Sequence, residues 1–306
     1  MNQVSKITAL LLLALLILPS TIQAQLRYNL KVGEMYGLKQ ESFQDITQNI
    51  QGMTQNIKNT IGGDITVTIV SKSKGVYTST LVFESLLFKM ESTMFTIAYD
   101  SKDEAQEENM LSKAFDAIVD FEFTMIFDET GEITEVRGSE KLLEKIALSY
   151  GKSIDELGMV AESVKTQFSD KSMKQNMSSM LLVYPDEKLK VGTEWTNEVV
   201  TAGAMPIVSN YNYVVTSANK SIIELKGTGK MTADDSAGSE QNGMTQNFDL
   251  SGDVIVSATI DAKTAWPQSM ELNQEMEGSV SIESPQLPVP MEVPMTISSK
   301  STYKAY

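Results

Sequence analysis

The 306-residue chain contains no cysteine. That absence excludes disulfide bridges, thiol nucleophiles, iron–sulfur clusters and cysteine zinc sites. It also excludes a bacterial lipid anchor, which is attached to a cysteine. A stable fold must therefore come from a large packed core, and the 42% of hydrophobic residues are sufficient to build one.

The chain also contains no histidine, and basic residues are scarce, with 25 lysines and arginines against 40 acids. Without histidine the chain lacks the usual general base near neutral pH and the commonest metal ligand, so Ser-His-Asp and Cys-His catalysis are excluded. A net charge of −15 argues against binding to nucleic acid or to an anionic membrane surface. We expect no catalytic residue, no cofactor and no metal site.

The first 24 residues have the pattern of a signal peptide. Lys6 precedes the apolar run 7–18, and Pro19 ends that run. The small residue Ala24 then suits signal peptidase, which predicts cleavage between Ala24 and Gln25. The alternative is an uncleaved N-terminal anchor. With cleavage, the mature protein has no transmembrane anchor and lies in the periplasm or outside the cell.

Two phrases of the sequence occur twice. The segment 30–36, LKVGEMY, matches 189–195, LKVGTEW, and in each the glycine permits a tight turn before an aromatic residue starts a strand. A second pair, 52–57 and 243–248, shares GMTQN at a different offset. The matches indicate either two related β-rich halves or recurrent hairpin chemistry in one large sheet.

Most of the chain has strand-like patterns. Runs rich in β-branched and aromatic residues flank turn signals at 71–75, 128–131 and 218–220, which predicts three hairpins. Residues 45–60 fit a helix or a strand, and the hairpin match at Gly243 favours a strand slightly. Prolines between 285 and 294 predict an extended connection outside any central strand, and 295–306 is the expected last strand.

Helical spacing interrupts these strands in two regions. Apolar residues within 103–119 predict one helix, with Ser101 and Glu104 as a capping box. Residues 139–180 predict two or three short helices, one ended by Gly151 and another weakened at Gly158. The predicted organisation is a signal peptide (1–24), a first β-rich half with one helix (25–138), a helical insert (139–183) and a second β-rich half (184–306).

The expected fold class is therefore α+β and β-rich. We predict strongly twisted antiparallel sheet built from two related halves, with the helical insertions packing on it. Whether the halves form one sheet or two domains is left open by the sequence.

Three features qualify as candidate sites. The acids Asp100, Asp103, Glu104, Glu107 and Glu108 could hold Ca²⁺, but they lack the spacing of a calcium loop and read better as a solvated helix start. Ser236, in Asp235-Ser-Ala, matches a short acceptor pattern for O-glycosylation. The 18 methionines suit core filling or an apolar ligand surface.

The chain resembles a family of uncharacterised exported proteins and lipoproteins of Bacteroidota, a domain of unknown function. The resemblance rests on 31–36, the hairpin 70–88, Tyr99-Asp-Ser101, the segment 127–133 and the segment 184–195. It implies a β-rich exported protein and supplies no catalytic residues. Many members carry a lipid-anchoring cysteine, which this chain lacks.

These observations predict a non-enzymatic periplasmic or envelope protein that binds an apolar or lipid-like molecule or an envelope partner. One alternative is a glycan hydrolase that uses two carboxylates, which predicts a cleft with a carboxyl pair. The other alternative is a purely structural envelope subunit, which predicts an exposed apolar patch or edge strand.

Overall fold

In the computed structural model, which describes residues 25–105, 110–203, 205–233, 239–241, 244–285 and 289–306, the chain forms one continuous antiparallel sheet of 14 strands. The predicted β-rich fold class is confirmed. The strands of the first half are β1 (Met35–Ile50), β2 (Met53–Ser73), β3 (Val76–Phe83), β4 (Leu87–Ser92), β5 (Thr96–Asp100), β6 (Glu122–Asp128) and β7 (Ile133–Arg137). Those of the second half are β8 (Glu194–Thr201), β9 (Ile207–Ala218), β10 (Ile222–Ala233), β11 (Ser239–Gln241), β12 (Met244–Asp261), β13 (Pro267–Glu283) and β14 (Met291–Ala305).

The helices lie between the strands of the first half and between the two halves. They are α1 (Met110–Ile118), α2 (Ser139–Ser149), a 3₁₀ turn (Ile154–Leu157), α3 (Met159–Phe168) and α4 (Asp170–Met177). The short helices predicted within 139–180 are confirmed, and Gly151 and Gly158 interrupt them with φ angles of 65° and 53°. Such positive φ angles are accessible to glycine at little cost.

The order of strands across the sheet is β7-β6-β3-β2-β1-β14-β13-β12-β10-β9-β8. The hairpin β4–β5 pairs with β2 beyond the end of β3, and β11 pairs with β12. Each half contributes a similar meander, and β14 joins them by pairing with β1 on one side and β13 on the other. Both halves therefore belong to a single hydrogen-bonded sheet.

The repeated phrase LKVG has the same hydrogen bonds in both copies. Gly33 N–H donates to the Ile69 carbonyl at 2.8 Å, and Gly192 N–H donates to the Val215 carbonyl at 2.8 Å. Both glycines have a φ of 85°, which explains why a glycine stands there twice. The residues MTQN of the second phrase begin β2 in one copy and β12 in the other, strands that occupy different places in the two meanders. It therefore reflects recurrent hairpin chemistry.

The sheet is curled strongly. Eleven strands side by side would span about 48 Å if flat, because neighbouring strands lie about 4.8 Å apart. Yet α4, which is eight residues and about 12 Å long, contacts both edge strands, β7 and β8. The edges must therefore curve towards each other, and α4 covers both of them. The face turned towards the helices is called the inner face below, and the opposite one the outer face.

Two local expectations are corrected by the structure. The second arm of the hairpin 70–88 is not one continuous strand, because β3 ends at Phe83 and the chain pairs with β2 again as β4 from Leu87. The capping box does not form: the Ser101 hydroxyl accepts from the Leu86 N–H at 2.9 Å, and the described helix begins at Met110. Residues 45–60, for which the sequence slightly favoured a strand, do form strand, in the β1–β2 hairpin.

Pro294 lies within β14, a central strand, contrary to expectation. Its neighbour on β13 is Ser279, whereas pairing with β1 begins only at Met295. At Pro294 the strand is thus paired on one side, so the absent N–H leaves no β1 carbonyl unsatisfied.

Candidate ligand-binding face

The inner face of the sheet carries no charged side chain of the described strands except Lys72, at the end of β2, whose ammonium lies over the Tyr77 ring and is paired with Glu129. Inward positions alternate with outward ones, and all the strand acids, lysines and arginines fall on outward positions or at strand ends. The buried polar residues of the described chain are all serines and threonines. With 40 acids and 25 bases in the chain, this segregation gives the sheet one charged face and one neutral face.

Apolar side chains fill the inner face towards the hairpin ends of the long strands. Strand register places Ile57, Ile46, Ile297 and Met276 side by side across β2, β1, β14 and β13. Further towards the hairpin ends lie more apolar inward residues, namely Ile50, Leu250, Met295, Phe248, Val280, Val293, Ile282 and Met291. This set of apolar residues, including the first row, is called the apolar rows.

The side chains of the apolar rows on β1, β2 and β14 are only partly covered by the rest of the protein. Ile46, Ile50, Ile57 and Met295 are only half-buried, and Met53 at the hairpin tip is 64% exposed. At the opposite ends of the same strands, inward residues such as Leu38 and Ile65 are fully buried. The inner face is therefore closed at one end and accessible at the other.

A row of neutral polar side chains separates these two ends. This polar belt consists of Asn59, Gln44, Ser299 and Gln274, with Ser42 and Ser301 in the next row. Asn59 Nδ2 donates to Gln44 Oε1 at 2.8 Å, Ser299 Oγ donates to Gln274 Oε1 at 2.8 Å, and the hydroxyls of Ser42 and Ser301 lie 2.8 Å apart. Hydrogen bonds across strands thus hold the belt in a fixed arrangement.

One acceptor of the polar belt has no partner. Asn59 Oδ1 is buried, and no donor of the described residues reaches it. Its neighbours on the same face of β2 are Ile57 and Ile61, and Met90 lies opposite on β4. A buried polar atom without a hydrogen bond costs about 1–3 kcal/mol, so this atom marks a place where a donor would be stabilised.

Aromatic residues close the inner face beneath the belt. Tyr303 of β14 is buried, which raises its pKa, and its hydroxyl is hydrogen-bonded to Ser179, just after α4. Further down, five aromatic residues from both halves form a cluster in which centroids lie 5.1–6.4 Å apart: Tyr28, Tyr77, Phe127, Tyr184 and Trp266. The cluster, called the aromatic junction, joins the N-terminal segment, the helical insert and two turns of the sheet.

Equivalent aspartate turns support the aromatic junction in each half. Asp128 Oδ1 accepts from the Thr130 N–H and hydroxyl at 2.8 and 2.5 Å, and Asp261 Oδ1 accepts from the Thr264 N–H and hydroxyl at 2.8 and 2.9 Å. Burial acts to raise the pKa of Asp261, but hydrogen bonds from Thr264 and Lys263 outweigh it and hold that pKa below its ordinary value.

Replacing Asp261 with alanine is expected to lower the free energy of unfolding by about 1–2 kcal/mol at pH 7, because three donors lose their acceptor. The folded-state pKa is lowered, so this stabilisation is complete above the ordinary aspartate value of about 3.9 and is lost as the pH falls through the folded value. Urea unfolding should show the difference from wild type shrinking below about pH 4. The matched control is Asp253→Ala on the exposed outer face, expected to change stability by less than about 0.5 kcal/mol. An equal effect of both changes would contradict the role of the turn.

The outer face is polar and carries shallow depressions. The largest described has a volume of about 830 Å³ and spans β1, β14, β13, β12 and β10. Cross-strand acids such as Asp253 and Glu275 lie there. A glycosidase needs a general acid whose pKa is raised, whereas each described carboxyl with a resolved shift, including Glu271 beside Asn273 and Lys300, has a lowered pKa. The depression thus holds a cross-strand carboxyl pair, but the carboxyls with resolved shifts lend the hydrolase hypothesis no support.

The residues singled out from the sequence do not assemble into one site. Ala24, Glu107, Glu108 and Ser236 lie outside the described residues. Gln25 donates to the Asp186 carbonyl at 2.7 Å. Asp100 and Asp103 accept backbone hydrogen bonds from Lys102 and Ala105, and Glu104 lies in the same turn.

Two further properties concern the described part of the chain. It contains no group of three acids, histidines or cysteines spaced to hold a metal ion. None of its helices combines the length and apolar character needed to span a membrane.

The polar belt was not predicted from the sequence. A signal for it exists, because glutamine or serine stands at every second position of 40–44 and again at 48. That period of two indicates one strand face. Without the register of β13 and β14, however, nothing shows that polar residues far away in sequence extend the same row.

Comparison with known proteins identifies a family whose function is unknown. The model described as "Family of unknown function (DUF6263)" matches residues 74–267. No curated protein has a significantly similar sequence.

Solved structures resemble the chain only distantly. A lipovitellin structure, titled for lipid–protein interactions, aligns over 91% of this chain at 9% identity with a TM-score of 0.47, and the chain spans 25% of the lipovitellin length. An outer membrane channel from Pseudomonas putida F1 aligns over 91% of this chain and 97% of its own length at 7% identity, with a TM-score of 0.27. At these TM-scores the likeness supports no conclusion about ligand or role.

Proposed function

The chain belongs to DUF6263, a family of unknown function, so family membership supplies no role. From the geometry of the sheet, we propose that it is a non-enzymatic exported protein. In this proposal it binds an apolar, lipid-like molecule on the inner face. The observation that carries this proposal is the incomplete cover over the apolar rows. Half-buried Ile46, Ile57 and Met295 stand beside fully buried neighbours on a neutral, curved surface. Concave apolar surfaces with a few fixed polar groups are the usual form of small-molecule sites.

Export is the second element of the proposal. The sequence pattern of residues 1–24 supports a cleaved signal peptide and a periplasmic or extracellular location. Lipid-like molecules are poorly soluble in the aqueous space around membranes, so a protein that shields them from water would be needed to carry them there. N-terminal sequencing of the protein secreted by its own host tests the cleavage before Gln25.

Lipid uptake by the full mature chain tests the binding proposal. Native mass spectrometry of protein purified from its host envelope should reveal a co-purifying lipid, and a fluorescent acyl probe should bind with one-to-one stoichiometry. Ile57→Gln should weaken probe binding about tenfold, since part of a buried isoleucine's contact is lost. Lys58→Gln, the adjacent outward position on β2, is the matched control and should leave binding unchanged. If no lipid co-purifies and the probe does not bind, the proposal is wrong.

The structural-subunit alternative retains one supporting feature. The turn of the β4–β5 hairpin presents Met94 and Phe95 at 69% and 42% exposure, and the Ser92 hydroxyl accepts from both of their N–H groups. An ordered, exposed apolar turn is typical of a protein contact. Both edge strands, in contrast, contact α4. Failure of lipid uptake would therefore favour a partner at the Met94–Phe95 turn over edge-strand pairing.

A further inference from the structure

The polar belt places hydrogen-bonding groups beside the first of the apolar rows, and a second inward amide pair lies beyond that row, where Gln48 Nε2 donates to Gln55 Oε1 at 3.0 Å. Asn59 has Ile57 and Ile61 on either side along β2, and Met90 and Gln44 as cross-strand neighbours. The belt lies between the closed end, marked by the Tyr303–Ser179 contact, and the accessible apolar rows. A molecule that lies along Ile57, Ile46 and Ile297 therefore has one of its ends at the belt.

The belt is already linked internally, except at one atom. Asn59 Nδ2 and Gln44 Oε1 satisfy each other at 2.8 Å, as do Ser299 Oγ and Gln274 Oε1. Asn59 Oδ1 alone of the belt's buried side-chain atoms has no partner among the described residues. Because this oxygen can only accept a hydrogen bond, the complementary ligand group is a donor.

The lack of charged groups around the belt narrows the chemical class of the ligand's head group further. Among the described strands, the lysine at an inward position is Lys72, which lies at the far end of β2 with its ammonium over the Tyr77 ring and paired with Glu129. The strand cations nearest to the belt in sequence, Lys58 and Lys300, are outward and exposed. An ionised carboxylate or phosphate buried at the belt would have no counter-charge, which is strongly unfavourable. A neutral head group avoids that cost.

We propose that the ligand is an uncharged, hydroxyl-bearing amphiphile, of the fatty-alcohol or monoacylglycerol type, whose hydroxyl donates to Asn59 Oδ1. Its hydrocarbon chain lies along Ile57, Ile46 and Ile297 and points towards the hairpin ends. The head therefore enters first and the chain faces the accessible end. This inference rests on the proposed function, because it assigns the polar end of the same site.

Three probes with one hydrocarbon chain test the proposal on the full mature protein: oleyl alcohol, oleyl methyl ether and oleate at pH 8. Each is titrated against a bound fluorescent apolar dye. Oleyl alcohol should displace the dye at about one-tenth the concentration of the ether, which has no donor, and of oleate, which is charged. If none of the three displaces the dye or binds directly, the proposed function itself fails. If all bind with equal affinity, or oleate binds best, only the hydroxyl assignment fails.

Substitution at the belt provides the second readout. Asn59→Leu should abolish the tenfold preference for the alcohol over the ether by weakening alcohol binding alone. Asn56→Leu is the matched control, because Asn56 is outward on the same strand and bonds Thr47 at 2.9 Å; it should retain the preference. If the leucine variant does not fold, Asn59→Ser, which also removes the amide and is a smaller change, is used for the same measurement. A preference that survives loss of the Asn59 amide would overturn the proposal.

Discussion

Replacing Tyr184 with alanine is expected to lower the free energy of unfolding by about 3–5 kcal/mol, the range found when a large aromatic residue is removed from a packed core. Tyr184 is 2% exposed and lies in the aromatic junction, with its ring centroid 5.3 Å from that of Tyr28. The loss should be large because the buried ring packs between the turn at 128–131 and the turn at 261–266, which belong to different halves of the sheet.

Tyr184→Ala removes the packing of the ring and the hydroxyl bond of Tyr184, whereas the bond of its backbone N–H is retained. Its hydroxyl donates to the Ala265 carbonyl at 2.8 Å, and its N–H donates to the Thr130 carbonyl at 2.9 Å. Ala265 precedes β13 and Thr130 precedes β7, so one residue ties the turn of each half together. Tyr28 completes the junction, since its N–H donates to Glu129 and its hydroxyl to Leu182.

Urea unfolding followed by tryptophan fluorescence measures this effect, since Trp266 lies 6.4 Å from Tyr28 in the same cluster. Tyr184→Phe should cost only about 1–2 kcal/mol, because it keeps the ring and leaves the Ala265 carbonyl without its donor. Leu148→Ala, at a residue that is 78% exposed, should change stability by less than about 0.5 kcal/mol. A Tyr184→Ala variant as stable as the Leu148 variant would show that the junction does not hold the halves together.

The second large effect is expected from a charge on the inner face. Ile297→Lys should lower the free energy of unfolding by about 3–5 kcal/mol at pH 7, because the ammonium has no counter-charge there. Ile297 is buried and lies between Ile46 and Met276 in the first of the apolar rows. Ser298→Lys places the same side chain one residue later on the exposed outer face and should be nearly neutral.

The pH dependence of the Ile297→Lys variant provides a further check. Burial lowers the pKa of a lysine, so the folded protein loses the proton before the unfolded chain does. Stability of the variant should therefore rise with pH, relative to wild type, from the lowered folded value up to about 10.4, the pKa of a lysine in an unfolded chain. Equal stabilities of the two lysine variants at all pH values would contradict the assigned strand register.

Several parts of this fold could be predicted because they depend on local chemistry. Turn residues and alternating side chains located the hairpins at 71–75, 128–131 and 218–220, and Gly151 and Gly158 marked helix breaks. The duplicated LKVG phrase predicted a turn of one geometry, and both copies have it. Each of these features is decided within a few residues of the chain.

Other parts could not be predicted because they depend on distant partners. Ser101 bonds Leu86 instead of capping a helix, since the β4–β5 hairpin brings the two together. Pro294 fits a central strand because β1 ends beside it, which only the pairing register shows. The polar belt likewise combines residues from β1, β2, β13 and β14.

The missing cysteines and histidines determined what chemistry the chain can have. The alternation of side chains along the strands determined which face of each strand is neutral. The sequence alone thus decided that one surface would be charged and the other apolar with a few amides and hydroxyls. Only the tertiary structure decided that eleven strands curl until one short helix contacts both edges, and that Asn59 and Gln44 meet Ser299 and Gln274 in one row. The physical reason is that strand register and curvature arise from pairing between residues as much as about 270 positions apart, such as Leu38 and Ala305, which local sequence does not encode.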